Sequence, residues 1–305
     1  MAACYLATVA FVPANWHEHL VRLEGAIGIP VTSIAPWYSR WAIGDGVAFA
    51  IIATDPLGFD LGQSLFGPGY RYQRAGFGWV LWAVSLGQAE FVPYAMVLVG
   101  LSCIVALFVL ARKYREVLGP ASWLLVLNPA VFIAVLGATA EALGVLLLVL
   151  ATASGGSRWS IPLGLTRPTF LIALVSRGRA FFLGVLATAC LFGFGVWQFG
   201  WDLGQYTGRA TLPFFGFIEA ASLGSWIVAL SALVTLLVGL MRRDLAWIAS
   251  GGFVLCFSSL VVENPFNALR AAGMLPVLWA FGPRWVPPPE RARDLHPASE
   301  PADVA

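Results

Sequence analysis

Phe91 to Ala111 reads FVPYAMVLVGLSCIVALFVLA, an uncharged run closed by Arg112-Lys113. As an α-helix it reaches about 30 Å, the thickness of a bilayer's hydrocarbon core. The rest of the chain agrees with this stretch. Of 305 residues, 59% are hydrophobic and 11% charged, more apolar surface than a soluble core can bury. The chain is therefore read as a polytopic membrane protein. A soluble enzyme, a disordered tail and a secreted disulfide scaffold are excluded.

Composition narrows the partners further. A net charge of +2, without a basic stripe on a polar surface, excludes nucleic acid as a partner and leaves the lipid bilayer. Cys4, Cys103, Cys190 and Cys256 each sit in an apolar run, with no two at metal-ligand spacing, and read as small buried hydrophobes. Met1 to Pro13 has no basic leader and no small-residue cleavage site, so it reads as a short first span rather than a cleaved signal. Either that span continues through Ala14 and Trp16 or the chain begins late.

Charge bias in short loops sets orientation. Arg112, Lys113, Arg115, Arg158, Arg177, Arg179, Arg242, Arg243 and the tail arginines form one basic set, expected in the cytoplasm. Most acids, with Arg40, Arg71, Arg74, Arg167, Arg209 and Arg270, form the set expected outside. Threading the chain between the sets predicts an all-α transmembrane bundle of about 8–10 spans or half-spans. Spans fall near 1–13, 91–111, 119–136, 138–154, 180–199, 218–241, 245–262 and 271–282. Residues 158–176 must cross twice by halves to keep the basic set on one side, turning at Thr166-Arg167-Pro168-Thr169, where Pro lacks the helix donor. Interrupted helices line sites more often than they face lipid.

The transmembrane domain is assigned to residues 1–285. Within it, residues 14–90 form an extracytoplasmic juxtamembrane segment of amphipathic helices anchored by Trp16, Trp37, Trp41, Tyr70, Trp79 and Trp82. Residues 286–305, rich in Pro, Arg and Glu, are predicted to be a disordered cytoplasmic tail.

Ionisable side chains at span ends are the candidates for chemistry. Asp45, flanked by Gly44 and Gly46, suits a general base; capping the helix that begins near Val47 needs the same residue type. Arg71 and Arg74 lie three apart in Tyr70-Arg71-Tyr72-Gln73-Arg74, on one helical face. With 17 Arg against one Lys, phosphate recognition falls to guanidinium forks, although each Arg alone could equally snorkel to lipid headgroups. Glu141, Arg167, Glu263 and Arg270 end other segments on the same predicted face, where a structural ion pair such as Glu141 with Arg167 competes with a site. His17-Glu18-His19 lacks the i, i+4 spacing of a zinc motif, and no metal or other cofactor is expected. Gly193-Phe194-Gly195 serves close helix packing rather than a nucleotide loop.

The order of these pieces resembles a GT-C glycosyltransferase: an outward Asp45-Gly46, the Tyr-Arg-Tyr-Gln-Arg stretch, the Thr166-Arg167-Pro168-Thr169 break, and Asn264-Pro265-Phe266-Asn267-Ala268-Leu269-Arg270 before the last span. The resemblance covers roughly residues 1–282. It implies a multi-pass cell-membrane enzyme that moves a sugar from a polyprenyl-phosphate carrier to an extracytoplasmic acceptor. By that resemblance Asp45 is the base, Arg74, Arg167 and Arg270 lie near the donor phosphate or sugar, and Glu141 matches a polar position at the outward end of the third span. Where such relatives read Asp-Gly-Gln-Phe-Tyr-Tyr, this chain has Val47, Phe49 and Ala50. That departure keeps open a catalytically inactive membrane subunit, and the broken segment at 158–176 keeps open a lipid or solute transporter.

Overall fold

The structure is a computed structural model and describes residues 45–60, 68–137, 139–154, 157–200, 215–220, 223–257, 261 and 265–282. Of these, 84% are helical and none forms a strand, so the chain is an all-α bundle. The expected first span at 1–13, residues 14–44 and 61–67 of the expected juxtamembrane segment 14–90, and the tail at 286–305 lie outside the described residues.

Among the described residues, three helices are long and apolar enough to cross a bilayer: Ala89–Lys113, Gly178–Phe199 and Ser225–Arg242. Their outer faces carry exposed Leu98, Val105, Phe182, Leu186, Leu230 and Leu237, an apolar surface that needs lipid against it. The protein is a membrane protein on this ground.

In chain order the elements begin with α1 (Asp45–Thr54), α2 (Pro68–Tyr72) and α3 (Gly76–Val84). The long α4 (Val92–Lys113) and the single turn α5 (Arg115–Leu118) follow. Next come α6 (Pro129–Gly137), α7 (Glu141–Ala153), α8 (Ser160–Thr166) and α9 (Gly178–Phe199). The chain then forms α10 (Phe215–Ala220), α11 (Leu223–Arg242), α12 (Leu245–Leu255), α13 (Pro265–Ala271) and α14 (Met274–Phe281).

The stretch expected as one span at 119–136 is not continuous. A 3-10 helix runs over Gly119–Leu125, and α6 starts only at Pro129. The cause is local: Pro129 brings no N–H, and Asn128 Oδ1 accepts from Ala130 N at 3.0 Å, taking up a donor at the head of α6. The span expected at 245–262 likewise ends early as α12, at Leu255, followed by a turn at Cys256. Asp244 starts it by accepting from Ala246 N at 2.9 Å.

The segment at 158–176 breaks where its Pro predicts. Helix α8 ends at Thr166, Arg167 takes φ −143° and ψ 74°, and a 3-10 helix runs over Pro168–Leu174. The break reverses the chain. Arg167 pairs with Glu141, the first residue of α7, whereas Arg177 Nη1 donates to the carbonyl of Ala151 near the other end of that helix at 3.3 Å. Helix α9 then runs alongside α8, with Thr188 Oγ1 donating to Gly164 O at 3.1 Å.

Contacts sort the charges to two ends of the bundle. Lys113 Nζ lies 5.7 Å from the Tyr114 ring, and Tyr114 packs on Phe281 at the end of α14. Arg242 covers Trp247, which packs on Trp279 of α14 with 4.9 Å between ring centroids. The opposite end of α14 begins after Gly273, beside Arg270 and Glu141.

Candidate functional site

Chain breaks gather at the Glu141 end. Glu141 opens α7 and is 1% exposed. Its Oε1 takes Nη2 of Arg167 at 3.0 Å and Nη2 of Arg270 at 2.8 Å. One oxygen thus ties a residue at the mid-chain break to a residue on the short helix before α14. A buried carboxylate is retained only where opposite charge and hydrogen bonds offset its desolvation, and two guanidinium groups supply both. Arg270 Nη1 also donates to Asn267 Oδ1 at 3.3 Å. The Arg167 guanidinium lies 5.8 Å from the centroid of the Phe170 ring, within cation–π range.

Arg74 reaches the same end by a different route. Gly76, two residues on, packs so closely against the break that a Cβ there would meet Thr166 Oγ1 at 2.8 Å and Leu165 O at 2.9 Å. Arg74 itself is buried, with its guanidinium 6.0 Å from the centroid of the Phe49 ring on α1. Phe49 in turn meets Phe77 edge-on at 5.1 Å. Asp45 is the first residue of α1, one turn before Phe49; its side chain lies outside the described residues. Arg71 is half-buried in the last turn of α2. Glu263 and His17-Glu18-His19 lie outside the described residues.

The loop after α1 is built to stay put. Asp55 Oδ1 accepts from Gly58 N at 2.9 Å and Phe59 N at 3.1 Å, and Oδ2 accepts from Asp60 N at 2.9 Å. Tyr72 Oη donates to Asp55 O at 2.5 Å. Burial first, and the Asp55 carboxylate second, push the Tyr72 phenol above its ordinary value, so it remains a donor.

Two features at this end are absent from the sequence reading. Asn128 is fully buried, and its Nδ2 donates to Gly273 O at 2.7 Å across the bundle. Thr139, two residues before Glu141, is buried, and its hydroxyl makes no hydrogen bond. Asn before Pro at the head of an apolar helix was the available signal for the first. Nothing in the local pattern marks the second. Among the described residues no three His, Cys, Asp or Glu side chains gather at metal-binding spacing.

Comparison of the chain with protein-family models, curated proteins and solved structures finds no match.

Proposed function

We propose that the protein is a membrane glycosyltransferase that moves a sugar from a polyprenyl-phosphate carrier to an acceptor hydroxyl on the extracytoplasmic face. The observation that carries this reading is the meeting of Arg167 and Arg270 on one buried oxygen of Glu141, at the end of the bundle away from Lys113 and Arg242. Arginines held at a bilayer-spanning bundle's end suit a lipid phosphate, because a guanidinium makes paired, charge-assisted bonds to phosphate oxygens. The bond-free hydroxyl of Thr139, two residues before Glu141, adds a polar group suited to a ligand.

In this mechanism Asp45 accepts the proton of the acceptor hydroxyl as its oxygen attacks the anomeric carbon. The bond from that carbon to the phosphate oxygen breaks, and the electron pair leaves with the phosphate. Arg74, Arg167 and Arg270 stabilise the charge that develops there, with Arg71 at the membrane surface. By the positive-inside rule the basic end faces the cytoplasm and the Glu141 end faces outward.

Asp45→Asn is expected to abolish transfer from a labelled polyprenyl-phosphate sugar in membranes while the protein remains inserted and folded. Undiminished turnover by that variant would remove Asp45 as the base. A second reading, a non-catalytic membrane subunit, is favoured by the closed tie of Glu141 to both arginines, which is also what a purely structural ion cluster looks like. Absence of transfer by the parent protein across a panel of carrier-linked sugars would favour it.

A further inference from the structure

We infer that Glu141 and Asn128 are positioning residues: they fix Arg270 against Arg167 so that both guanidinium groups are presented together to one lipid phosphate, a diester in the sugar donor and a monoester once the sugar has left. The inference rests on the phosphate reading above and goes beyond it by assigning what holds the phosphate-binding groups.

Arg270 has little intrinsic hold on its place. It stands on α13, a helix of 7 residues, too short to be stable by its own backbone bonds, and the chain turns directly after it through Ala272 and Gly273. Two side chains from outside that helix close the gap. In front, Glu141 Oε1 takes Arg270 Nη2 at 2.8 Å and Arg167 Nη2 at 3.0 Å, so the two nitrogens are no farther apart than those two contacts laid end to end. That separation matches the spread of oxygens on one phosphate, so a single phosphate can span both guanidinium groups. Behind, Asn128 Nδ2 donates to Gly273 O at 2.7 Å while its Oδ1 accepts from Ala130 N. One amide therefore starts α6 and pins the turn that carries Arg270.

Packing allows no slack at this pin. A Cβ at Gly273 would fall 2.5 Å from Ala130 Cβ and 3.1 Å from Phe170 Cζ, and Phe170 is the ring beside Arg167. Glu141 is 1% exposed, and its Oε1 is the atom that holds both arginines. Through that oxygen it acts as a positioning residue.

The experiment measures binding by the full chain in nanodiscs, with farnesyl phosphate as the probe and farnesol and inorganic phosphate as separate arms. The variants are Glu141→Gln and Asn128→Ser. Serine still caps α6 but is too short to reach Gly273, so a role confined to capping α6 would leave Asn128→Ser binding close to the parent. Each variant is expected to weaken farnesyl phosphate binding by about tenfold or more and to leave farnesol binding unchanged, since bonds to charged groups are at stake. Parent-like affinity for farnesyl phosphate in Asn128→Ser, with unchanged melting, would overturn the role of Asn128; parent-like affinity in folded Glu141→Gln would overturn that of Glu141. Inorganic phosphate bound as tightly as farnesyl phosphate would sink the carrier-lipid reading, and the positioning role would stand if both variants lost that binding too. A parent protein that binds neither phosphate would overturn the inference together with the reading beneath it.

Discussion

Two proline breaks, Asn128-Pro129 and Arg167-Pro168, interrupt apolar stretches of similar length, and they are held by different physics. At the first, an amide makes neutral hydrogen bonds to backbone on both sides of the bundle, Ala130 N and Gly273 O. At the second, a guanidinium reaches a buried carboxylate, Glu141, that it shares with Arg270. The contrast teaches that a proline opens a helix but does not decide what the opening is for. The residue before it does. Asn turns the break into a joint, and Arg turns it into a charged centre.

The largest expected effect tests the ionic break. Glu141→Leu removes the oxygen shared by two arginines at a buried position and is expected to cost about 3–5 kcal/mol, read as a lowered unfolding midpoint in detergent. Asn128→Leu takes away a neutral donor and acceptor and is expected to cost less, about 1–3 kcal/mol by the same measurement. Equal losses for the two would erase the distinction between joint and charged centre. Gly273→Ala forces a methyl into Ala130 and is expected to cost about 1–3 kcal/mol, with part restored by adding Ala130→Gly. No restoration would place the clash on Phe170, beside the ionic break, rather than on Ala130. Asp244→Ala, at the basic end and remote from both breaks, is expected to cost only about 1 kcal/mol through the lost cap of α12.

The comparison also marks how far the sequence could be read. Residues 91–111 and 180–199 are uncharged, or nearly so, over a bilayer's thickness, and they lie within the helices Ala89–Lys113 and Gly178–Phe199. Arg167-Pro168 stood out because charge bookkeeping across the membrane demanded a reversal there. Asn128-Pro129 carried the same breaker, but no charge sat beside it, and the run 119–136 looked unbroken. Apolar periodicity could not correct this, since lipid and protein core both select apolar side chains.

The site was legible only in pairs. Glu141 and Arg167 both end apolar segments, so their meeting could be weighed from the sequence, as could the presence of Arg270 on the same face. That all three share one oxygen depends on how α6, α7, α13 and α14 pack, which no local pattern encodes. Arg74 shows the same limit. Arg74 owes its place to Gly76 lying on the Thr166 break and to the Phe49 ring, contacts between segments distant in the chain.

Glu141 Oε1 has a further consequence, set by the order in which a ribosome delivers its partners. Arg167 emerges 26 residues after Glu141, and Arg270 only after another hundred or so. During synthesis Arg167 is therefore available to the carboxylate before α13 exists. The third member arrives with the final helices, and completing the cluster is therefore a late event of biogenesis. A chain truncated before Pro265 would insert its long spans yet lack the last arginine of the centre.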